Sequence, residues 1–168
     1  MMGAKGGAVA DVTSVLDEAG IDHDVLEHKH TERAVDEAAA LGVAAEEVAK
    51  TLVLSAPSGN VRAVLPASER LDLGKVADLL QAGHKEVNLA SEDDMKRDYP
   101  DFDLGAVPPF GGREGDRVIV DSRLAARDSV VLEAGSHERS VRLKAADLVR
   151  LTHADVSDIS RVEERTAG

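Results

Sequence analysis

Apolar positions along this chain switch repeatedly between two periods. Val12, Val15 and Leu16 recur at helical spacing ahead of Gly20, which predicts a helix over 11–20 with a glycine stop. Residues 23–28 then alternate as a strand does. Thr31 is placed as the N-cap of a helix over 32–41 closed by Gly42, and 44–49 reads as a short second helix. Two β-rich runs follow, 51–56 and 61–65, separated by the turn residues Pro57-Ser-Gly-Asn60, so a hairpin is expected. Next come a helix over 73–81 with Gly83 as its stop, a short strand over 85–89, and a helix opened by Ser91 with early acids. The segment 104–115 holds four glycines and two prolines and reads as a loop. Strands at 118–121, 129–134 and 140–143, a helix at 145–151 and an extended tail at 154–159 complete the pattern. Strands and helices mix without regular βαβ repetition. The expected class is therefore α+β, with one mixed, mostly antiparallel sheet flanked by helices.

Length and composition narrow this. A chain of 168 residues with 43% hydrophobic content suits one domain with its own core. We expect that domain over 9–160, with flexible tails at 1–8 and 161–168. No cysteine is present, which excludes disulfides, thiolate metal sites and a cysteine nucleophile. No apolar run is long enough to span a bilayer and no secretory core opens the chain, so a cytoplasmic protein without a membrane partner is expected. The charge changes the picture most. Twenty Lys and Arg face 32 Asp and Glu, a formal net of −12. Such a field repels phosphate backbones and speaks against DNA or generic nucleic-acid binding. A local basic patch, with Arg62, Lys75 and Lys85 as candidates, could still meet the tip of an RNA. The bland explanation of the acid is solubility, or a salty cytoplasm. One Tyr, two Phe and no Trp leave no stacking platform for single strands.

The candidate chemistry is sparse. Six histidines occur, none at metal-site spacing, so no metal is expected; no P-loop, dinucleotide fingerprint or other cofactor motif is present, and no Gly-x-Ser-x-Gly elbow. Two features stand out. Lys50 sits between Val48-Ala49 and an apolar strand; a lysine there snorkels to solvent, the commoner outcome, or enters a cleft where it can bind a carbonyl or orient a nucleophile. Gly105-Ala-Val-Pro-Pro-Phe-Gly111 is rigid at its prolines and bare at its glycines, a structural crossover or a place where backbone N–H groups approach a ligand. His28 is a pocket residue or a satisfied strand-end histidine, and Thr31 primarily a helix cap. Phe110 reads as loop packing, Asp121 as a turn residue after a strand, and His137 and Arg139 as solvated positions in a hairpin turn.

These residues resemble a family in order. Leu26-Glu-His28 with Thr31, Val48-Ala-Lys-Thr-Leu-Val-Leu54, Ala63-Val-Leu-Pro-Ala67, Leu71-Asp-Leu-Gly-Lys75, the Gly105–Gly111 loop, Val118-Ile-Val-Asp121 and Glu133-Ala-Gly135 follow the landmarks of the YbaK/ProX (EbsC-like) aminoacyl-tRNA deacylases, relatives of the editing domain of prolyl-tRNA synthetase. The resemblance covers about residues 21–159. It implies hydrolysis of the ester joining a mischarged amino acid to the terminal ribose of tRNA, without a cofactor. It implies Lys50 as the central cation and Gly105 as a backbone donor to the aminoacyl carbonyl. His28, Thr31, Thr51, Pro109, Phe110 and Gly111 would line the substrate site. The implied partners are the acceptor end of mischarged tRNA and, for affinity, an aminoacyl-tRNA synthetase. Pro108 stands where the family usually has Ser, and Glu133 and Ser140 stand where its cysteinyl-tRNA branch has Ser and Asp. Cysteinyl-tRNA is therefore not assigned; alanyl, seryl or another small residue is expected. The alternatives are a non-catalytic module that binds aminoacyl-adenosine-like ligands or docks on a synthetase, and a purely structural domain.

Overall fold

Local sequence explains most of the elements in the computed structural model, which describes residues 8–161. Helix α1 (Ala8–Glu18) ends at Gly20, whose φ of 69° lets the Ile21 N–H return to the Leu16 carbonyl at 3.0 Å. Strand β1 (His23–Glu27) leads to α2 (Ala34–Leu41), closed by left-handed Gly42. Thr31 does not cap this helix. The N-cap is Arg33, which makes no side-chain cap bond, while the Thr31 N–H donates to the His137 carbonyl. A 3-10 turn (Ala45–Glu47) replaces the short helix expected at 44–49, and β2 (Val48–Ala56) begins three residues early, so Lys50 lies inside the strand.

Pro57-Ser58 turns β2 into β3 (Gly59–Pro66), followed by β4 (Arg70–Leu71). In α3 (Leu73–Leu80), Asp72 caps the start and Gln81, at φ 59°, ends it. Gly83 is not the stop; it opens a 3-10 turn (His84–Glu86) that leaves only β5 (Asn88–Leu89) of the expected strand. Ser91 and Asp94 form a capping box on α4 (Glu92–Asp98). After the long loop come β6 (Arg117–Asp121), the short α5 (Ser122–Ala125), β7 (Ser129–Ser136), β8 (Arg139–Lys144), α6 (Ala145–Thr152), β9 (Asp155–Ser157) and β10 (Ser160–Arg161). Of the tails expected at 1–8 and 161–168, residues 1–7 and 162–168 lie outside the described residues; Ala8 opens α1 and Arg161 closes β10.

The main sheet runs β1-β8-β7-β2-β3-β6-β9, with β5 at the far end of β2, and β4 pairs separately with β10. It is mixed: β2 meets β3 antiparallel but β7 parallel, and β3–β6 and β6–β9 are parallel. Helices α1 and α6 and the aromatic residues of the 99–110 segment cover one face, burying Val12, Leu16, Leu148, Tyr99, Phe102 and Phe110 against Ala49, Val53, Val64 and Leu132. The other face carries two separate apolar patches. One joins α3 to Leu54, Ala63 and Ile119; the other joins α2 to Val48, Val131 and Ala67. Alternation along β2 puts Lys50 on this second face, with Val48 on one side and Leu52 on the other, between the two patches. Among the described residues, no helix is long and apolar enough to cross a membrane.

Candidate active site

A cavity of about 360 Å³ opens at that gap. Lys50 and Thr51 line it from β2, Glu32 and Arg33 from the approach to α2, Glu133 from β7 and Gly105 from the long loop. Strand pairing explains the opening. The parallel ladder between β2 and β7 runs only through Val48 with Val131 and Ala49 with Leu132. One step further the strands part, leaving Lys50 and Glu133 on the same cavity. The cause lies in β7, whose register to β8 shifts between Glu133 and Ser136 around Gly135 at φ 93°, a bulge that redirects the strand.

Lys50 is half-buried and has no carboxylate within ion-pair distance among the described residues. Burial lowers its ammonium pKa, nearby Arg70 lowers it further, and Glu69 partly offsets both. Gly105 adopts φ 86°, a left-handed conformation that other residues resist, and its N–H donates to no described group. Glu133 is 12% exposed and is pushed up to about 9, first by burial and then by the surrounding Glu37, Asp103 and Glu32. At neutral pH it therefore holds a proton, its own or one shared with His137 Nδ1 at 3.1 Å. One wall of the cavity offers a cation and the other a neutral acid, with an unclaimed backbone donor on the loop. Such an arrangement can hold a polarised carbonyl and stabilise negative charge developing on its oxygen.

Of the remaining expected site residues, one joins Lys50 and Gly105 and the others fall elsewhere. Thr51 lines the cavity. Thr31 is buried and does not line it, and its hydroxyl oxygen has no partner among the described residues. His28 faces a different depression beside Lys29, His30 and Arg139. Its Nδ1 donates to the Lys29 carbonyl at 2.7 Å and its Nε2 meets the Ser140 hydroxyl at 2.9 Å. Ser140 also bonds to Glu37, fully buried on α2 and pushed up to about 7 by desolvation. Pro109, Phe110 and Gly111 do not reach the Lys50 cavity. They border a separate depression with Arg62 and Asp116, and Phe110 packs into the core. The loop turns away after Val107 because Arg62, itself 1% exposed, binds the carbonyls of Pro108 and Gly111 at 2.8 Å each while its Nε donates to Asp116 at 2.9 Å. Arg62 is thus no part of a basic patch. Lys75 is held by Asp158 and the Ser160 carbonyl, and only Lys85 is exposed.

Of two further positions, Asp121 does close a strand, as expected of a turn residue after one, while His137 departs from its reading. Asp121 is fully buried, accepting from the Arg123 and Ile159 N–H groups and from the Ser160 hydroxyl. His137 is not solvated: it is 5% exposed, with Nδ1 3.1 Å from Glu133 and Nε2 2.7 Å from the Leu104 carbonyl. A signal was present for its partner, since Glu133 is a lone acid in the apolar run Val130–Ala134. Among the described residues, no three His, Asp or Glu side chains cluster as a metal site.

Comparison with known proteins converges on one family. The family model described as the aminoacyl-tRNA editing domain matches residues 28–151. A curated relative from Escherichia coli (strain K12), the multifunctional Ser/Thr-tRNA deacylase ProXp-y, is 27% identical over 153 residues, covering 88% of this chain and 90% of its own. Among solved structures, a protein proposed as a trans-editing enzyme for prolyl tRNA synthetase superposes with a TM-score of 0.84 at 24% identity, over 95% of this chain and all of that one. The hypothetical protein APE2540 gives 0.82 at 25% identity, over 90% and 99%.

Proposed function

Because this chain belongs to the aminoacyl-tRNA editing domain family, we propose that the cavity between Lys50 and Gly105 is where it deacylates mischarged aminoacyl-tRNA. The activity is that of a trans-editing hydrolase that protects translation. The observation that carries the assignment of the site is that Lys50 and Gly105, 55 positions apart in sequence, line one cavity in a chain of this family.

The ester carbonyl enters with its oxygen toward the Gly105 N–H and the Lys50 ammonium. Attack by water, or assistance from the neighbouring ribose hydroxyl, moves negative charge onto that oxygen, and both donors strengthen as the charge grows. Desolvation makes the lone ammonium count for more than it would in water. No side-chain nucleophile is needed. The cavity is small and partly polar, and neutral Glu133 can bond a hydroxyl, so the substrates are small residues with serine and threonine foremost. This agrees with what the Escherichia coli relative is named for. Only the acceptor end needs to enter, past Arg33 and Arg70, which are exposed. Cytoplasmic tRNA and a synthetase that hands it over complete the proposal.

A panel of seryl-, threonyl-, alanyl- and cysteinyl-tRNA tests it. Release of serine or threonine is expected. Saturable binding of an aminoacyl-adenosine analogue without turnover would instead favour a non-catalytic binding module.

A further inference from the structure

His137 ties together three parts of the cavity wall. Its backbone carbonyl accepts from the Thr31 N–H at 3.0 Å, its backbone N–H donates to Asp103 at 3.3 Å, and its ring bridges Glu133 and the Leu104 carbonyl. A carbonyl oxygen only accepts, so Nε2 carries a proton. Nδ1 then accepts from a protonated Glu133, or donates to an ionised one if the ring is charged. Either way the pair holds one proton between its two facing atoms.

The contact at Leu104 matters because its carbonyl belongs to the same peptide unit as the Gly105 N–H. That unit is planar and trans, so the two groups point in opposite directions. Fixing the oxygen on His137 fixes the direction of the N–H on the other side. Gly105 cannot do this by itself, since glycine leaves its peptide freer to rotate than any other residue does. We propose that His137 is a positioning residue for deacylation: by holding the Leu104 carbonyl it aims the Gly105 N–H at the ester oxygen, and Glu133 keeps the ring in the tautomer that does so. This rests on the deacylase assignment above.

A pH dependence follows. Glu133 faces Glu37 from α2, Glu32 from the segment before it, Asp103 from the loop, and Lys50 and Arg33 across the cavity; His137 faces Glu32 at 3.9 Å and the His30 ring at 5.2 Å. Removing the shared proton leaves either the Nδ1 lone pair against a carboxylate or the Nε2 lone pair against the Leu104 carbonyl. One of the two bonds must then fail, and the clamp loosens at alkaline pH, since burial and the surrounding acids push the Glu133 carboxyl up to about 9.

The test compares His137→Leu, which loses both bonds, with His137→Gln, whose amide nitrogen stands in for Nε2 and does not titrate. On the preferred aminoacyl-tRNA, His137→Leu is expected to lower kcat about 100-fold with KM changed less than about threefold. His137→Gln should recover at least about tenfold of that and lose the alkaline decline, after subtraction of spontaneous hydrolysis. A His137→Leu kcat within about threefold of the unaltered protein, or a glutamine variant no better than leucine, overturns the proposal. Should His137→Leu not fold, His137→Asn, whose amide is too short to reach Leu104, takes its place, with equal rates for Asn and Gln overturning it. If the unaltered protein releases no amino acid at all, the deacylase assignment fails separately. The clamp is then read from hydrogen exchange at the Gly105 amide: about tenfold faster exchange in the leucine variant but not in the glutamine variant supports it, and unchanged exchange overturns it.

Discussion

Lys50 is a cation with no carboxylate at ion-pair distance among the described residues, held partly out of water between two apolar patches. A lysine in such a place costs stability and is tolerated where its charge is used. Replacing it with methionine, which keeps the stem and drops the charge, should leave the melting temperature equal or higher while abolishing turnover; a thermal melt beside a deacylation assay checks both. Gly105 makes the complementary case. A Cβ there would meet only the His137 ring, at an ordinary 3.6 Å, so the cost of Gly105→Ala is conformational rather than steric. At φ 86° that strain is about 1 kcal/mol, and relaxation of the loop should cut kcat about tenfold with little change in fold, as circular dichroism and steady-state kinetics would show. At this scale the sequence was informative where residue type and family order coincided, as at Lys50, and silent where a side chain acts through another. Nothing in Gly135-Ser-His137 says that a bulge will turn the histidine inward onto a carbonyl 33 positions away.

Two buried polar constructions hold the elements that frame the cavity. On α2, Glu37 sits fully buried against Ser140, with one oxygen unpartnered among the described residues. Its folded pKa is raised to about 7 from an ordinary carboxylate value, so the folded state binds the proton more tightly than the unfolded chain does. Stability is therefore fully retained below the unfolded pKa and is lost as pH rises through the folded one. The loss amounts to about 3 kcal/mol across the window between them. Glu37→Gln should flatten the difference between denaturation free energies measured at pH 4.5 and pH 8. On the long loop, Arg62 and Asp116 form a buried pair with carbonyl bonds and with Tyr99, whose ring lies 4.9 Å from the guanidinium and whose hydroxyl donates to Asp116 at 2.6 Å. Arg62→Ala leaves Asp116 with only the partly exposed Arg113 guanidinium at 3.2 Å as a cation and strips the Pro108 and Gly111 carbonyls of their donor, and chemical denaturation should register a loss of about 3 kcal/mol. Element types were largely legible because helical and alternating runs are long and capped by glycine or serine. Boundaries were not. Thr31 was drawn from capping into the wall beside His137, and Gln81 took the left-handed position that Gly83 was expected to fill.

The molecule as a whole carries a net charge of −12, yet its substrate is an RNA ester. A small cavity with Arg33 and Arg70 near its mouth reconciles the two if only the acceptor end is engaged. A minihelix reproducing the acceptor stem should then be deacylated within about threefold of full-length tRNA, and log kcat/KM should fall only shallowly with log salt, by about two units of slope or less. A dependence as steep as that of a protein spanning many phosphates would point to a larger contact surface. The mixed sheet was foreseeable from the irregular order of helices and strands. The pairing of Lys50 with Gly105 was legible only through the family resemblance, and the opening between them was not legible at all, because it forms where a parallel ladder stops after two residue pairs and no local pattern announces where two strands part. Initial rates of serine release from mischarged seryl-tRNA, measured for the unaltered protein and for folded Lys50→Ala side by side, bear on all of this most directly. Turnover by the first and a loss of at least about 100-fold in the second is the expected result; equal rates, or no release by the unaltered protein from seryl-tRNA or any other mischarged tRNA, would contradict it.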